Sequence, residues 1–216
     1  QDILIHDNAI GGAASGQIVK VEIVEQPTFK RQPIGKVVEV LGDHMAPGME
    51  VDIAIHNYGL PHEFPAKVIA DAEKWGDSVH NRDKEGRVDL RSVPLVTIDG
   101  EDARDFDDAV YCEPHAQGFR LYVAIADVSH YVSKDSAIDA EAVQRGTSVY
   151  FPGEVIPMLP EVLSNGICSL QPDQRRFAKS VYITYDLKGN ILGREVDNSV
   201  ICSRKRLTYL EADAIL

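Results

Sequence analysis

The residues best suited to chemistry are carboxylates crowded into one short stretch. Between positions 99 and 108 a single cation, Arg104, stands among six acidic side chains: Asp99, Glu101, Asp102, Asp105, Asp107 and Asp108. Neighbouring carboxylates repel and raise one another's pKa, so such a cluster lowers stability unless a cation lies among the oxygens. Oxygen ligands in this number favour Mg²⁺, Mn²⁺ or Ca²⁺ over zinc or copper.

Three interpretations of this acidic loop are open on the residues alone. A solvated turn without an ion is disfavoured because apolar, strand-like flanks at 95–98 and 109–111 would half-bury it. A calcium loop of the EF-hand type is disfavoured because its Asp-x-Asp-x-Asp-Gly pattern is absent. A catalytic divalent-metal site for phosphoryl chemistry is favoured, since metal ions stabilise both the attacking and the leaving oxygen. The pattern leaves hydrolysis and transfer both open.

The elements that must position the loop are short strands and helices. From residue 88 onward the pattern predicts strands at 95–98 and 119–128, a helix at 137–144, a Pro-rich passage at 149–160 and a helical piece at 161–168. A hairpin is predicted from 177–186 and 191–203, closed by Leu187-Lys188-Gly189-Asn190. A last helix is predicted to begin near Thr208.

The first 87 residues have a different pattern, with short predicted strands followed by a helical segment. Strands are predicted at 2–6, 17–25 and 35–41, a spacing typical of a small β-barrel or sandwich. Residues 61–75 show a helical rhythm that ends at Trp75. The polar stretch at 76–86 is a candidate boundary.

Composition and charge exclude several classes of protein. The chain of 216 residues is 44% apolar and 26% charged, which is ordinary for globular proteins, and its net charge is −12. The longest apolar stretch, 121–128, is far shorter than the about 20 residues of a membrane span. Three separated cysteines without a CxxC motif favour a reducing cytoplasm, with no membrane and no disulfide-linked partner. Because the chain begins at Gln1 and stops inside a predicted helix, we expect a segment of a longer protein.

Four motifs in order carry a resemblance to a known family. They are IDGEDARDFDDA at 98–109, VAIADVS at 123–129, RGTSVYFP at 145–152 and IPMLPEVLSNG at 156–166. Together they resemble the RNB-type exoribonucleases, with wording closest to the bacterial members. Residues 2–10 and 16–37 resemble the third to fifth strands of a cold-shock domain, so its first two strands, with their aromatic stacking motifs, are expected to be missing.

The resemblance implies an α+β fold class in three parts. Residues 1–42 would form the C-terminal strands of a cold-shock OB β-barrel, which is therefore partial. Residues 43–87 would form a connector with one helix. Residues 88–216 would form the first half of an RNB-type mixed α/β nuclease domain.

The resemblance also implies an activity and its residues. Asp99, Asp105, Asp107 and Asp108 would be catalytic and would hold one or two Mg²⁺ ions, for which Mn²⁺ can substitute. The enzyme would be a processive 3′→5′ exoribonuclease that hydrolyses single-stranded or 3′-overhang RNA to nucleoside 5′-monophosphates in RNA decay and quality control.

The resemblance assigns RNA contacts to two tyrosines. Tyr150 would stack on the terminal base, the alternative being a core tyrosine. Tyr209 would lie near the RNA, the alternative being helix packing. Arg104 is either a local counter-charge or a substrate contact, and His130 is expected to be structural.

An alternative function belongs to a different class. The chain could be a catalytically inactive RNA-binding or regulatory protein that retains the RNB fold. For both functions the acidic composition is unexpected, because it lacks the basic stripe typical of a nucleic-acid binder. All four aspartates are present, which favours the enzyme. Residues 1–216 alone are expected to be inactive, because catalysis requires the RNA to be held in line by further parts of the channel.

Overall fold

The computed structural model describes residues 2–44 and 46–215, without the side chains at positions 82 and 83. The chain divides into two compact units, Gln1–Glu63 and Phe64–Leu216. The mixture of strands and helices expected from the sequence is confirmed in both units. None of the helices in these ranges is long and apolar enough to cross a membrane.

The first unit is a three-stranded sheet followed by a helix. It consists of β1 (Leu4–Ile5), β2 (Gln17–Glu25), β3 (Ile34–Asp43) and α1 (Met49–Tyr58). β3 lies in the centre, parallel to β1 and antiparallel to β2. Gly35 permits this close packing, because a Cβ at that position would lie 2.4 Å from Cγ1 of Val21. The strand predicted at 2–6 is shorter than expected, whereas those at 17–25 and 35–41 are confirmed.

The segment 43–87 holds two α-helices where the sequence pattern predicted one. α1 precedes the expected helix, which is α2 (Ala66–Glu73) and follows Pro65 directly. The apolar residues of α1 do not form a continuous stripe, and only Met49 and Ile55 are buried. Because the helical period is weak, its apolar run could not be distinguished from an extended segment.

The second unit contains the remaining elements. In chain order they are β4 (Val88–Asp89), β5 (Val96–Asp99), β6 (Asp108–His115), β7 (Gly118–Ala126), α3 (Val128–Tyr131), α4 (Ala137–Arg145), β8 (Val149–Phe151), β9 (Glu154–Ile156), a π-helical turn (Val162–Ile167), β10 (Arg175–Asp186), β11 (Ile191–Cys202), β12 (Lys205–Thr208) and α5 (Tyr209–Asp213). The predicted hairpin is confirmed as β10 and β11. The Pro-rich passage, which was not assigned strands, forms the small hairpin β8–β9.

Seven of these strands form one mixed sheet that ends on a parallel pair at either side. The order is β12-β5-β6-β7-β10-β11-β4, antiparallel except for the pairs β5–β12 and β4–β11. β4 leads directly into β5 and β11 into β12, so the same two chain segments form both parallel pairs. A backbone bond from Leu90 N–H to Val200 O (2.9 Å) extends the β4–β11 pair, and one from Arg204 N–H to Leu95 O (2.8 Å) extends the β5–β12 pair.

Two apolar clusters support this sheet. One lies among α2, α4, the π-helical turn and β10, and there the half-buried Trp75 packs edge-on against Tyr131 at 5.3 Å. His130 lies against the rings of Tyr131 and Phe177 at 4.9 and 4.8 Å, which confirms its expected structural role. The other cluster contains Phe106, so the core extends under the acidic loop.

Candidate active site

The acidic loop connects two neighbouring antiparallel strands of the sheet, β5 and β6. Asp99 is the last residue of β5 and Asp108 is the first residue of β6. Asp99 is paired on its other side with Thr208 of β12. The carbonyl oxygen of Asp107 accepts a hydrogen bond of 2.8 Å from the N–H of Ala126, at the end of β7. Four strands, β5, β6, β7 and β12, therefore fix the two ends of the loop.

The middle of the loop is held from below by a buried serine. Oγ of Ser169, which has no exposed surface, accepts a bond from the N–H of Phe106 (3.1 Å) and donates to the carbonyl oxygen of Arg104 (2.8 Å). The carbonyl oxygen of Phe106 accepts from the N–H of Leu170 at 2.8 Å. Phe106 is buried, whereas Asp105 and Asp107 on either side of it keep accessible surface. Because Phe106 is buried in the core, the carboxylates on either side of it remain accessible to solvent.

A cation that sequence reasoning missed holds the start of the loop. Nη2 of Arg206, on β12, donates to the carbonyl oxygen of Gly100 at 2.6 Å and also to that of Glu101. Its guanidinium lies 5.5 Å from the ring of Phe106. The loop's own cation, Arg104, instead lines an open cleft of about 460 Å³ together with Glu161, Asn165 and Gln171. Arg206 is therefore the counter-charge at the base of the loop.

The four predicted metal ligands are close enough to act on one another. Loss of hydrating water raises the pKa of Asp99, the charge of Asp108 raises it further, and Arg206 opposes the rise. Loss of water also raises the pKa of Asp107, and so do the charges of Asp105, Asp108 and Asp99. The structure thus brings together all four carboxylates into a single field of negative charge.

The donor chemistry of this cluster suits a hard divalent cation. Oδ2 of Asp99 is buried and accepts no hydrogen bond of standard geometry from the residues that the structure describes, although the nearby hydroxyl of Thr97 lowers the pKa of Asp99 slightly. A buried carboxylate oxygen without a partner is costly unless a cation or water satisfies it. Within residues 2–44 and 46–215 no three Asp, Glu, His or Cys side chains converge on one point as they stand. The set therefore fits Mg²⁺ by its oxygen chemistry, and coordination requires side-chain rotation of the accessible aspartates.

Both predicted RNA-binding tyrosines border the loop. Tyr150, on β8, is 66% exposed, and its hydroxyl donates a 3.4 Å hydrogen bond to Oδ2 of Asp105. Partial loss of water and the charge of Asp105 raise the pKa of Tyr150. Tyr209, at the start of α5, is 64% exposed, and its Cε2 lies 4.0 Å from the position of a Cβ built on Gly100. The alternative of a core tyrosine is therefore wrong for Tyr150, and Tyr209 is not buried by helix packing.

A seven-stranded mixed sheet with an acidic loop between two of its strands, and a small β unit, define the class of protein, and two family models match it. The model of the RNB domain matches residues 87–216, and the model of the cold shock domain matches residues 1–65. Since the first of these covers more than half of the chain, the chain belongs to the RNB family.

Curated relatives agree with this membership and are bacterial, as the motif wording indicated. The chain is 56% identical to ribonuclease R of Acidithiobacillus ferrooxidans over 201 residues, 93% of this chain and 46% of that protein. It is 51% identical to ribonuclease R of Escherichia coli K12 over 216 residues, 100% of this chain and 27% of that protein. The chain thus spans between about a quarter and a half of the length of these relatives.

Solved structures resemble both units. Ribonuclease R of Mycoplasma genitalium in complex with double-stranded RNA matches 99% of this chain and 38% of its own, at 32% identity and a TM-score of 0.90. The same enzyme with ribose-methylated single-stranded RNA gives a TM-score of 0.89 at 32% identity, covering 99% and 33%. Yeast Ssd1, described as a pseudonuclease, matches 98% of this chain and 28% of its own, with a TM-score of 0.72 at 19% identity, which shows the fold alone. The expected order, a cold-shock domain followed by part of an RNB domain, is confirmed.

Proposed function

We propose that this chain carries the metal-binding carboxylates of a processive, Mg²⁺-dependent 3′→5′ exoribonuclease that releases nucleoside 5′-monophosphates. The observation that carries the proposal is the apposition of Asp99, Asp105, Asp107 and Asp108, with a buried oxygen of Asp99 left without a hydrogen bond of standard geometry. The four aspartates would hold one or two ions, and Mn²⁺ would substitute for Mg²⁺ because it accepts the same oxygen ligands.

Each aspartate is positioned by a different contact, which gives the set a defined shape. Asp99 is fixed by its place in β5 and faces the charge of Arg206. Asp108 is fixed by its place in β6, and Asp105 accepts the hydroxyl of Tyr150. When bound, the metal would lower the pKa of a water molecule and offset the charge of the scissile phosphate. Asp107, on which the three other carboxylates act, is the residue whose charge we expect hydrolysis to need most.

The two exposed tyrosines support RNA as the substrate. Tyr150 and Tyr209 present ring surface beside the carboxylates, and an aromatic face can stack on any base without reading its edge. A general degrader requires such tolerance of sequence. The similarity to an enzyme solved with single-stranded and with double-stranded RNA supports the same class of ligand. The cytoplasmic location inferred from the cysteines stays a prediction.

The second candidate, an inactive RNA-binding protein of the same fold, is favoured by one observation. The likeness to Ssd1 indicates that a pseudonuclease can have this fold. Retention of all four carboxylates, together with the Oδ2 atom of Asp99 that accepts no hydrogen bond of standard geometry, favours the enzyme.

The two candidates are separated by following RNA labelled at its 5′ end. The purified full-length protein is incubated with this RNA in Mg²⁺ and, in parallel, in EDTA. The enzyme predicts conversion of full-length RNA to a short 5′-labelled end product, without accumulation of intermediates, in Mg²⁺ and not in EDTA, with a DNA strand of the same sequence as a control. Tight RNA binding without any product in Mg²⁺ or Mn²⁺ would establish the inactive alternative.

A further inference from the structure

A second cleft of the Phe64–Leu216 unit has the opposite charge to the acidic loop. Its volume is about 520 Å³, and it is lined by Asp89, Arg91, Ser92, Arg175, Cys202 and Arg204. It forms where β10 begins beside the end of β11, since Arg175 pairs with Cys202. None of these residues belongs to the acidic loop or to the cleft beside Arg104. We call it the basic cleft.

One arginine of the basic cleft is neutralised and fixed in place. Arg91 donates from Nε and Nη2 to the two carboxylate oxygens of Asp89, at 2.8 and 2.5 Å. This pair holds the pKa of Asp89 down to about 2. The carbonyl oxygen of Arg91 in turn accepts a 3.0 Å bond from Nη2 of Arg204. The Asp89–Arg91 pair therefore orders one wall of the basic cleft and orients Arg204.

The other cations that line the basic cleft have no anionic partner among the described side chains. Among the side chains that the structure describes, no carboxylate forms an ion pair with Arg175 or Arg204. Lys84 lies close enough that, after loss of hydrating water, the charges of Arg175 and then Arg91 lower its pKa. In a chain of net charge −12, unpaired cations gathered at one place are unexpected. A bound anion would relieve their mutual repulsion.

We propose that the basic cleft binds the phosphodiester backbone of RNA at a site separate from the acidic loop. The inference rests on the proposed function only in taking RNA as the ligand. Arginine presents a planar fork of N–H donors that matches phosphate oxygens. No aromatic side chain lines the basic cleft, so it suits backbone contacts rather than base stacking. Its arginines are spread around an open cleft instead of enclosing one small anion.

The test uses the salt dependence of RNA affinity in the full-length protein. Arg175→Gln/Arg204→Gln is compared with wild type and with Arg194→Gln, an exposed arginine on β11 outside the basic cleft. Binding of a fluorescent single-stranded RNA is measured in EDTA over a series of KCl concentrations. For two lost phosphate contacts the slope of log K against log salt should fall by about 1.4. The Kd at low salt should rise in the double variant only.

Other outcomes would overturn the proposal. An unchanged slope and Kd in a folded double variant exclude a backbone site, and so does an effect of equal size in Arg194→Gln. Inorganic phosphate or an acidic peptide that binds in wild type and is lost in the double variant, with RNA affinity unaffected, would assign the basic cleft to another ligand. Circular dichroism checks that each variant is folded. If the double variant unfolds, the single variant Arg204→Gln replaces it, and the expected change in slope is then half as large. Binding is measured without metal, so the change in salt dependence is expected even if the protein is not a nuclease. If the protein hydrolyses RNA but the double variant keeps the wild-type salt dependence, only the proposal for the basic cleft is overturned.

Discussion

Nη2 of Arg206 lies 2.6 Å from the carbonyl oxygen of Gly100, so the last strand of the sheet holds the turn that opens the acidic loop. The two residues are separated by 106 positions in the chain. The same guanidinium opposes the rise in the pKa of Asp99. Arg206 is thus a positioning residue that acts on the carboxylates through backbone and charge.

We expect Arg206→Met to raise the Mg²⁺ concentration needed for half-maximal hydrolysis by roughly tenfold or more. A hydrogen bond from a charged donor contributes about 1.5–3 kcal/mol, and the variant loses two of them. Arg206→Lys should recover part of the effect, because it restores the charge but not the planar fork. Initial rates over a Mg²⁺ series measure the shift, with Arg194→Met as the control. If Arg206→Met and Arg206→Lys both lower the melting temperature but leave the Mg²⁺ requirement unchanged, the role of Arg206 is structural only.

We expect Asp107→Asn to leave RNA affinity nearly intact and to reduce hydrolysis by several orders of magnitude. The amide keeps the shape of the side chain and removes the charge on which three neighbouring carboxylates act. Asp102→Asn makes the same chemical change on the exposed turn of the same loop and should behave as wild type. Cleavage rates in saturating Mg²⁺ and RNA affinity in EDTA give the comparison. Turnover at the wild-type rate in Asp107→Asn would contradict the assignment.

We expect Tyr150→Ala to weaken RNA binding by about 1–3 kcal/mol, the usual contribution of an aromatic ring stacked on a base. Tyr150→Phe retains the ring and loses only the long hydrogen bond to Asp105, so its effect should be small. Since the side chain is 66% exposed, both variants should melt as wild type does. Fluorescence anisotropy and the length of the final RNA product measure the difference. Equal affinity in the alanine and phenylalanine variants would remove the stacking role.

We expect Asp127→Asn to destabilise the folded protein by about 3 kcal/mol at neutral pH, because it removes the negative charge that faces the largely covered guanidinium of Arg87. Asp127 is 3% exposed and accepts bonds of 2.7 Å from both Arg87 and Ser129. Burial alone would raise its pKa, but Ser129 and Arg87 together lower it below the ordinary value.

The pH dependence of this difference follows from the direction of the shift. A carboxyl whose folded-state pKa is lowered contributes stability above its unfolded pKa, about 3.9, and loses it as pH falls through the folded value. The gap between wild type and Asp127→Asn should therefore be constant near neutral pH and shrink below about pH 4. Urea unfolding at several pH values measures it, with exposed Asp213→Asn as the control. A gap that widens in acid would contradict the lowered pKa.

Elements with strong local signals were predictable from the sequence. α4 begins after Ser136, whose Oγ accepts from the N–H of Asp139, and α5 begins after Thr208, which forms a capping box with Glu211. The long hairpin β10–β11 joins two runs with β-branched and aromatic residues around a recognisable turn. The motif at 98–109 singled out the four aspartates as candidate ligands, and the structure places them close enough to act on one another.

The rest could not be predicted because its causes are distant in sequence. Arg206 contacts the loop only because β12 pairs in parallel with β5, and a parallel pairing leaves no turn signal to mark it. Ser169 holds the backbone of Phe106 across 63 positions and is otherwise an unremarkable serine. The hairpin β8–β9 is too short for periodicity to reveal among its prolines.

The two parallel pairs of the sheet have a consequence for the timing of biosynthesis. β4 lacks its partner until β11 is made, and β5 lacks its second partner until β12 is made; pairings of such high sequence separation form late in folding. A ribosome that has delivered the acidic loop has not yet delivered Arg206, so the nascent carboxylates lack their anchor. On the proposed function, the growing chain carries no anchored carboxylate loop until β12 has left the ribosome.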